Sequence, residues 1–258
     1  MRVLFIGDIF GEPGRKVLKK GLTDLKEIFN PDFIIANGEN AAHGAGITYE
    51  IAKELFSFGL DVLTGGNHIF DKRAIWDRLN ELPYLLRPAN FPEGVPGKGY
   101  VILYKGKLKL GVISLQGRIE MAPIDSPFAV GDSLIEGVKK ETPAIVIDFH
   151  AEATAEKKAL GYYFEGRVSA VIGTHTHVQT ADEEVFKGGT AYISDVGMCG
   201  VHDSVIGLEK EVAIKRFITQ MPWTFRPAEG KGAIDYVVFD ILDNGKSNTI
   251  KRGQWKEQ

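Results

Sequence analysis

Short, almost purely apolar runs recur along this chain, at Val3–Ile6, Phe33–Ala36, Val62–Thr64, Ala144–Phe149 and Val168–Ile172. A strand with water on one face alternates apolar and polar residues, so runs without alternation read as strands buried on both faces. Helical patterns lie between them. Val17, Leu18, Leu22, Leu25 and Ile28 mark one amphipathic helix, with Lys16, Lys19, Lys20 and Lys26 on its wet face; Gly11 to Gly14 before it reads as a turn, and Asn30-Pro31 stops it. Thr48 is an N-cap candidate for a helix through Phe58, and further helices are expected over 74–81, 133–140, 154–160 and 209–219. Tyr100–Tyr104 and Lys109–Ser114 read as an antiparallel hairpin, Thr190–Ser194 as another strand, and Ala233–Leu242 pairs with Thr249–Trp255 across Asp243-Asn244-Gly245. The order predicts a layered α/β fold, partly parallel and partly antiparallel, with helices flanking two packed sheets. No repeat or low-complexity linker interrupts it, so a single domain over 1–258 is expected.

Composition narrows the function classes. A net charge of −3 gives no basic field for wrapping long nucleic acid. The single cysteine, Cys199, rules out an internal disulfide framework. The first residues turn acidic too soon for a signal peptide and no apolar run approaches a membrane span, so a cytoplasmic protein is expected. Assembly into a homo-oligomer stays open.

The chemistry gathers where the apolar runs end. Gly173 closes one run, and His175 and His177 follow; in an extended chain, residues two apart point the same way, so both rings can face one volume. Asp8, Glu39-Asn40, Asn67-His68 and His150 leave four other strand ends. In open α/β sheets the C-terminal edge of the strands is where ligands bind. Singly, Asp8 and Glu39 are ordinary turn or cap residues, Asn67 an αL turn residue and His150 a satisfied core histidine; jointly they make a donor set. Imidazoles, carboxylates and amide oxygens suit Mn, Fe or Zn rather than Ca, and there are too many for one tetrahedral ion. Two ions ~3.5–4 Å apart need a bridging carboxylate, for which Glu39 is the candidate. Such a site carries net positive charge and attracts a small phosphate ester.

Gly7-Asp8, Gly38-Glu39-Asn40, Gly66-Asn67-His68, His150 and Gly173-Thr174-His175-Thr176-His177 fall in the order of the calcineurin-like metallophosphoesterases, which this chain resembles from residue 1 to about 200. That superfamily usually has D-x-H at the first strand, where Phe10 stands here, and its second motif normally begins G-D, where Gly38-Glu39 stands. Both departures, with Met198-Cys199-Gly200, resemble the YmdB-like 2′,3′-cyclic-nucleotide phosphodiesterases of bacteria along the whole chain. The resemblance implies a four-layer α-β-β-α sandwich with two metal ions, often iron. It implies Asp8, Glu39, Asn40 and His177 at one ion and Glu39, Asn67, His150 and His175 at the other. Asn40 would then take the position that Phe10 leaves without a ligand, and an amide holds an ion less tightly than imidazole.

The expected activity is hydrolysis of a small cyclic nucleotide, with metal-activated water attacking phosphorus in line and His68 protonating the departing ribose oxygen. A nucleotidase on the same site, or a regulatory protein that binds metal without catalysis, are the alternatives; the retained His68 argues against the latter. His43 reads as a phosphate contact or a solvated loop residue, His202 as a surface residue or a support behind the site, and Asp195 as a turn residue or an orienter of a ligand histidine. Cys199 reads as buried filler. Phe10, Phe70 and Tyr162-Tyr163-Phe164 offer stacking surfaces but are better read as core.

Overall fold

The computed structural model describes residues 1–258. The first sheet is built from β1 (Arg2–Ile6), β2 (Asp8–Ile9), β3 (Phe33–Asn37), β4 (Val62–Thr64) and β5 (Leu85–Leu86). The second takes β6 (Tyr100–Lys105), β7 (Leu108–Gln116), β8 (Ile145–His150), β9 (Ala170–Thr174), β10 (Glu184–Val185) and β11 (Ala191–Ile193). The chain then returns to the first sheet with β12 (Met198–Gly200), β13 (Ala233–Ile241) and β14 (Ser247–Lys256). The helices are α1 (Gly11–Phe29), α2 (Tyr49–Ser57), α3 (Pro127–Val138), α4 (Thr154–Tyr163) and α5 (Lys210–Thr219). Strand order is β2-β12-β13-β1-β3-β4-β5 in the first sheet, with β14 also on β13, and β10-β11-β9-β8-β7-β6 in the second.

Three apolar layers explain the arrangement. Along β1, Leu4 and Ile6 pack with Leu18, Leu22 and Leu25 of α1, while Val3 and Phe5 point the other way. There they meet Val112, Val146 and Ile172 of the second sheet. The outer face of that sheet, with Ile113, Ile147 and Val171, is covered by Ile135 of α3 and Leu160 and Phe164 of α4. A strand packed on both faces admits a polar side chain only where a partner meets it, hence the runs without alternation. The result is the expected α-β-β-α sandwich. No helix is long and apolar enough to cross a membrane.

Parallel pairing positions the site. β1, β3 and β4 run parallel in one sheet, and β7, β8 and β9 in the other, so each group delivers its C-terminal ends to one edge. Contacts such as Glu39 with His150 show that the two edges form one rim.

Several local expectations are corrected. Gly11 to Gly14 is the first turn of α1, where Gly14 sits against the Cys199 carbonyl. Over 74–81 there are only two 3-10 turns, at Arg73–Ile75 and Leu79–Glu81. A segment so short gains little from helix propagation, and its side chains bond elsewhere: Trp76 Nε1 donates to the Phe70 carbonyl at 2.7 Å and the Arg78 guanidinium stacks on Tyr49. α3 begins at Pro127, a residue pre-set for a first helical turn, well before the expected 133. Gly173 lies inside β9 rather than ending it; a Cβ there would fall 1.8 Å from the Ser194 carbonyl oxygen. The two- and three-residue strands β2, β5, β10 and β12 carry too few residues to show a period, and only pairing defines them.

Candidate metal centre

Glu39, His150 and His175 present ligand atoms that all lie within 4.8 Å of one another. His150 Nε2 is 2.8 Å from Glu39 Oε1, 3.1 Å from Asn67 Oδ1 and 2.9 Å from His175 Nδ1. Asp8 joins through its Oδ2, which accepts from the His175 backbone N–H at 3.1 Å. Asn40 Nδ2 reaches His177 Nε2 at 3.0 Å and Glu39 Oε1 at 3.4 Å. All seven residues singled out in the sequence as metal candidates therefore meet in one volume, and Glu39 touches both sides of it. Gly66 makes this closeness possible: a Cβ there would stand 2.1 Å from the His150 ring and 2.3 Å from Glu39 Oε2.

The two histidines after β9 converge in a different way from that expected. The chain is not extended there: His175 has φ 102° and His177 φ 64°, both left-handed, which costs backbone strain in a residue with a Cβ. Asp195 holds this turn. Its Oδ2 accepts from the Thr176 backbone N–H at 3.0 Å, from Thr176 Oγ1 at 2.8 Å and from the buried Lys157 ammonium at 2.8 Å. It thus grips the residue between the histidines rather than a histidine ring.

The His150 and His177 rings are each fixed by a hydrogen bond on the far side, and His175 has a carboxylate beside its far nitrogen. His150 Nδ1 donates to Thr174 Oγ1 at 2.9 Å, and that hydroxyl donates to buried Asp148 at 2.7 Å. Asn37 also donates to Asp148, at 3.1 Å. His177 Nδ1 donates to the Ile206 carbonyl at 2.8 Å, and His175 Nε2 stands 3.1 Å from Glu152 Oε2. These bonds leave His150 Nε2, His175 Nδ1 and His177 Nε2 aimed into the site. Asp148, Glu152 and Ile206 escaped the sequence reading. Asp148 lies inside a strand run and Ile206 acts through its backbone, so neither has a motif; Glu152, two residues past His150, could have been found by proximity to a strand end.

Protonation follows from this packing. Burial opposes a charged His150, but the Glu39 carboxylate, with Asp8 behind it, carries its pKa up to about 9. Burial likewise works against the Glu39 anion, yet His150 brings it down to about 2. Asp8, where burial dominates and Glu39 adds repulsion, is pushed well above the usual carboxylate range. Burial and the nearby His150 hold His175 down to about 3, and burial also lowers His177. Both of those rings keep free lone pairs near neutral pH.

The donor set fits metal ions. Asp8 Oδ1 and Asn40 Oδ1 are buried polar atoms with no hydrogen-bond partner, a costly state that a cation would relieve. Two buried carboxylates with three imidazoles and two amides also match mixed nitrogen and oxygen coordination.

The site opens into a cleft of about 520 Å³ bordered by Phe10, His43, His68, Glu152, Leu208 and Phe225, among others. His68 sits at its edge with Nδ1 2.8 Å from Asp71, and its backbone N–H donates to Glu39 Oε2 at 3.1 Å. Phe10 packs edge-on against His177 with ring centroids 5.4 Å apart. Phe225 on the cleft wall was not expected; nothing in its local sequence marks it. Phe70 packs against Phe91 instead, Tyr162 stacks on Phe186 and Phe164 is core. Cys199 is buried filler whose thiol contacts the Gly14 carbonyl, and burial pushes its pKa up. His202 lies outside this cleft, paired with Asp235 at 2.8 Å.

A family model described as YmdB-like protein matches residues 4–252. A 2′,3′-cyclic-nucleotide 2′-phosphodiesterase of Bacillus subtilis (strain 168) is 53% identical over 246 residues, covering 95% of this chain and 93% of that protein. The crystal structure of a hypothetical protein from Thermus thermophilus superposes with a TM-score of 0.93 at 41% identity, over 100% of both chains. That of a novel phosphatase from Mycoplasma pneumoniae gives 0.92 at 31% identity, over 99% of this chain and 93% of the other.

Proposed function

The chain belongs to the YmdB-like family, and from that premise we propose that it is a dinuclear metal phosphodiesterase that opens 2′,3′-cyclic nucleotides. The observation that carries the reading is the pair of partnerless buried oxygens, on Asp8 and Asn40, flanking the Glu39–His150–His175 cluster. The activity named for the Bacillus relative supports it. Asp8, Glu39, Asn40 and His177 hold one ion; Glu39, Asn67, His150 and His175 hold the other. Iron is the preferred metal, with manganese or zinc compatible with the same donors. The enzyme works as one domain and in the cytoplasm.

When bound, the two ions supply Lewis acidity that activates water and neutralises charge on the phosphoryl oxygens. The remaining work falls to the chain. Asp71 fixes His68 through Nδ1, leaving Nε2 to carry a proton toward the departing ribose oxygen. Glu152 keeps a hydrogen on His175 Nε2 and so reserves Nδ1 for coordination. The apolar wall of Phe10, Leu208 and Phe225 excludes water from one side of the cleft.

The test is turnover of 2′,3′-cyclic AMP, 3′,5′-cyclic AMP and 3′-AMP by metal-analysed protein, with His68→Ala alongside. We expect fast opening of the 2′,3′ ring with about two ions bound. His68→Ala should lower kcat by about 10²- to 10⁴-fold with metal content unchanged. Preference for the monoester would overturn the diesterase reading in favour of a nucleotidase, and loss of metal in His68→Ala would make His68 a ligand.

A further inference from the structure

Phe225 belongs to a part of the chain that leaves the core and comes back to the metal candidates. From residue 209 to residue 226 the only buried residue is Ala213, yet Phe225 lies on the wall of the cleft into which His175 and His177 also face. Its side chain is 39% exposed, and the Arg216 guanidinium lies over the ring at 4.3 Å from the centroid. With one face covered by Arg216, the ring meets the cleft with its other face or its edge. Either packs well on a second aromatic ring.

The ring is set in place relative to the site. The Glu209 N–H donates to the Arg226 carbonyl at 3.0 Å, the Ala228 N–H donates to the Gly207 carbonyl at 2.8 Å, and Leu208 bridges Pro227. These bonds clamp the backbone beside Phe225 to the segment whose Ile206 carbonyl orients His177. The rest of the cleft offers a substrate little beyond its phosphate. No lysine or arginine borders it. Thr176 gives its hydroxyl to Asp195 and Glu152 stands beside His175, which leaves His43 alone, outside the metal candidates and His68, to meet a polar edge.

We propose, resting on the cyclic-nucleotide reading of this site, that Phe225 is the platform on which the base of the nucleotide packs, and so a residue that determines specificity. The cleft, at about 520 Å³, falls within the range that small-molecule sites occupy. Aromatic stacking holds any base, because every base has a π-face, and it needs no polar group to read an edge. Arg216 contributes from behind, by holding the ring against the pull of solvent on an exposed segment. The phosphate is then placed by the metal candidates and the base by Phe225, two anchors joined through the backbone pairing of 207–209 with 226–228.

Kinetics of the metal-loaded protein on 2′,3′-cyclic AMP and on base-free methyl β-ribofuranoside 2′,3′-cyclic phosphate test this. The wild type should prefer the nucleotide in kcat/KM, chiefly through KM. Phe225→Ala should narrow that preference about 5- to 150-fold, and Phe225→Trp should restore it. Any loss of water exclusion slows both substrates alike and cancels in the ratio. Calorimetric titration with 3′-AMP and with base-free methyl riboside 3-phosphate reads the platform without turnover. 3′-AMP should bind the more tightly, and Phe225→Ala should remove most of the difference with melting temperature unchanged. A preference for the base that is absent from the wild type, or that survives Phe225→Ala, would overturn the proposal. Failure to open either cyclic phosphate, with the 3′-AMP preference present and lost in Phe225→Ala, would overturn the diesterase reading and leave the platform standing.

Discussion

The two halves of the proposed metal centre are built by different means. His150 stands at the end of β8, fully buried, with its ring tied through Thr174 to Asp148, so a sheet and a closed hydrogen-bond chain set its position. On the other half, His177 takes its orientation from a backbone carbonyl on an exposed loop, supplied by Ile206 at φ 50°. A β-branched residue rarely sits in that conformation, and here it is held by contacts around it rather than by its own preference. Each half also offers one neutral amide, Asn40 here and Asn67 on the other side, so the amides do not separate them. The first half is therefore preorganised by secondary structure and the second by loop strain, and an ion on the second should be the easier to lose.

The sharpest way to break the comparison is to remove what both halves share. Glu39→Gln should cost both ions and at least about a hundredfold in kcat/KM; elemental analysis showing two ions still bound would sink Glu39 as the bridge. Brief chelation, or Asn40→Ala, should leave about one ion per chain where Asn67→Ala removes the other less completely. Equal losses would mean the halves are equivalent.

A smaller effect is expected behind the rigid half. Thr174→Val removes the donor to Asp148 and the acceptor for His150, leaving buried groups unpaired at about 1–3 kcal/mol, read as a fall of roughly 2–10 °C in melting temperature. Metal affinity should drop about 10- to 100-fold. Unchanged melting and binding would remove this chain of bonds from the support of His150.

The smallest effect concerns the loop side. Asp235 hydrogen-bonds His202, at the start of the loop that carries Ile206, and raises its pKa above the ordinary value. A raised pKa in the folded state favours the protonated form, so this stabilisation is complete below the ordinary histidine pKa and is lost as pH rises through the raised one. Melting temperature should therefore decline modestly over that window in the wild type and lose that component in His202→Gln. Identical pH profiles would show that the pair does not brace the loop.

How far the chain could be read depended on whether a residue acts through its own side chain and local period. The core strands and α1, α2 and α4 were legible because burial on one or both faces imposes a period or its absence. That the seven residues read as metal candidates gather at one rim was legible because a parallel sheet delivers its strand ends to one edge. The helix expected over 74–81 failed because apolar spacing was present but the length to propagate it was not.

What the sequence determined by itself, then, is the layered sandwich and which polar side chains gather at its rim, since both follow from which residues must avoid water and which follow them. Tertiary structure alone decided how those donors converge. The left-handed turn at His175 and His177, the grip of Asp195 on Thr176, and the hydrogen bonds of Asp148 and Ile206 behind the rings all join residues distant in the chain or act through backbone atoms. Such contacts leave no period and no spacing to read, because their energy arises only once two separate elements have been packed together.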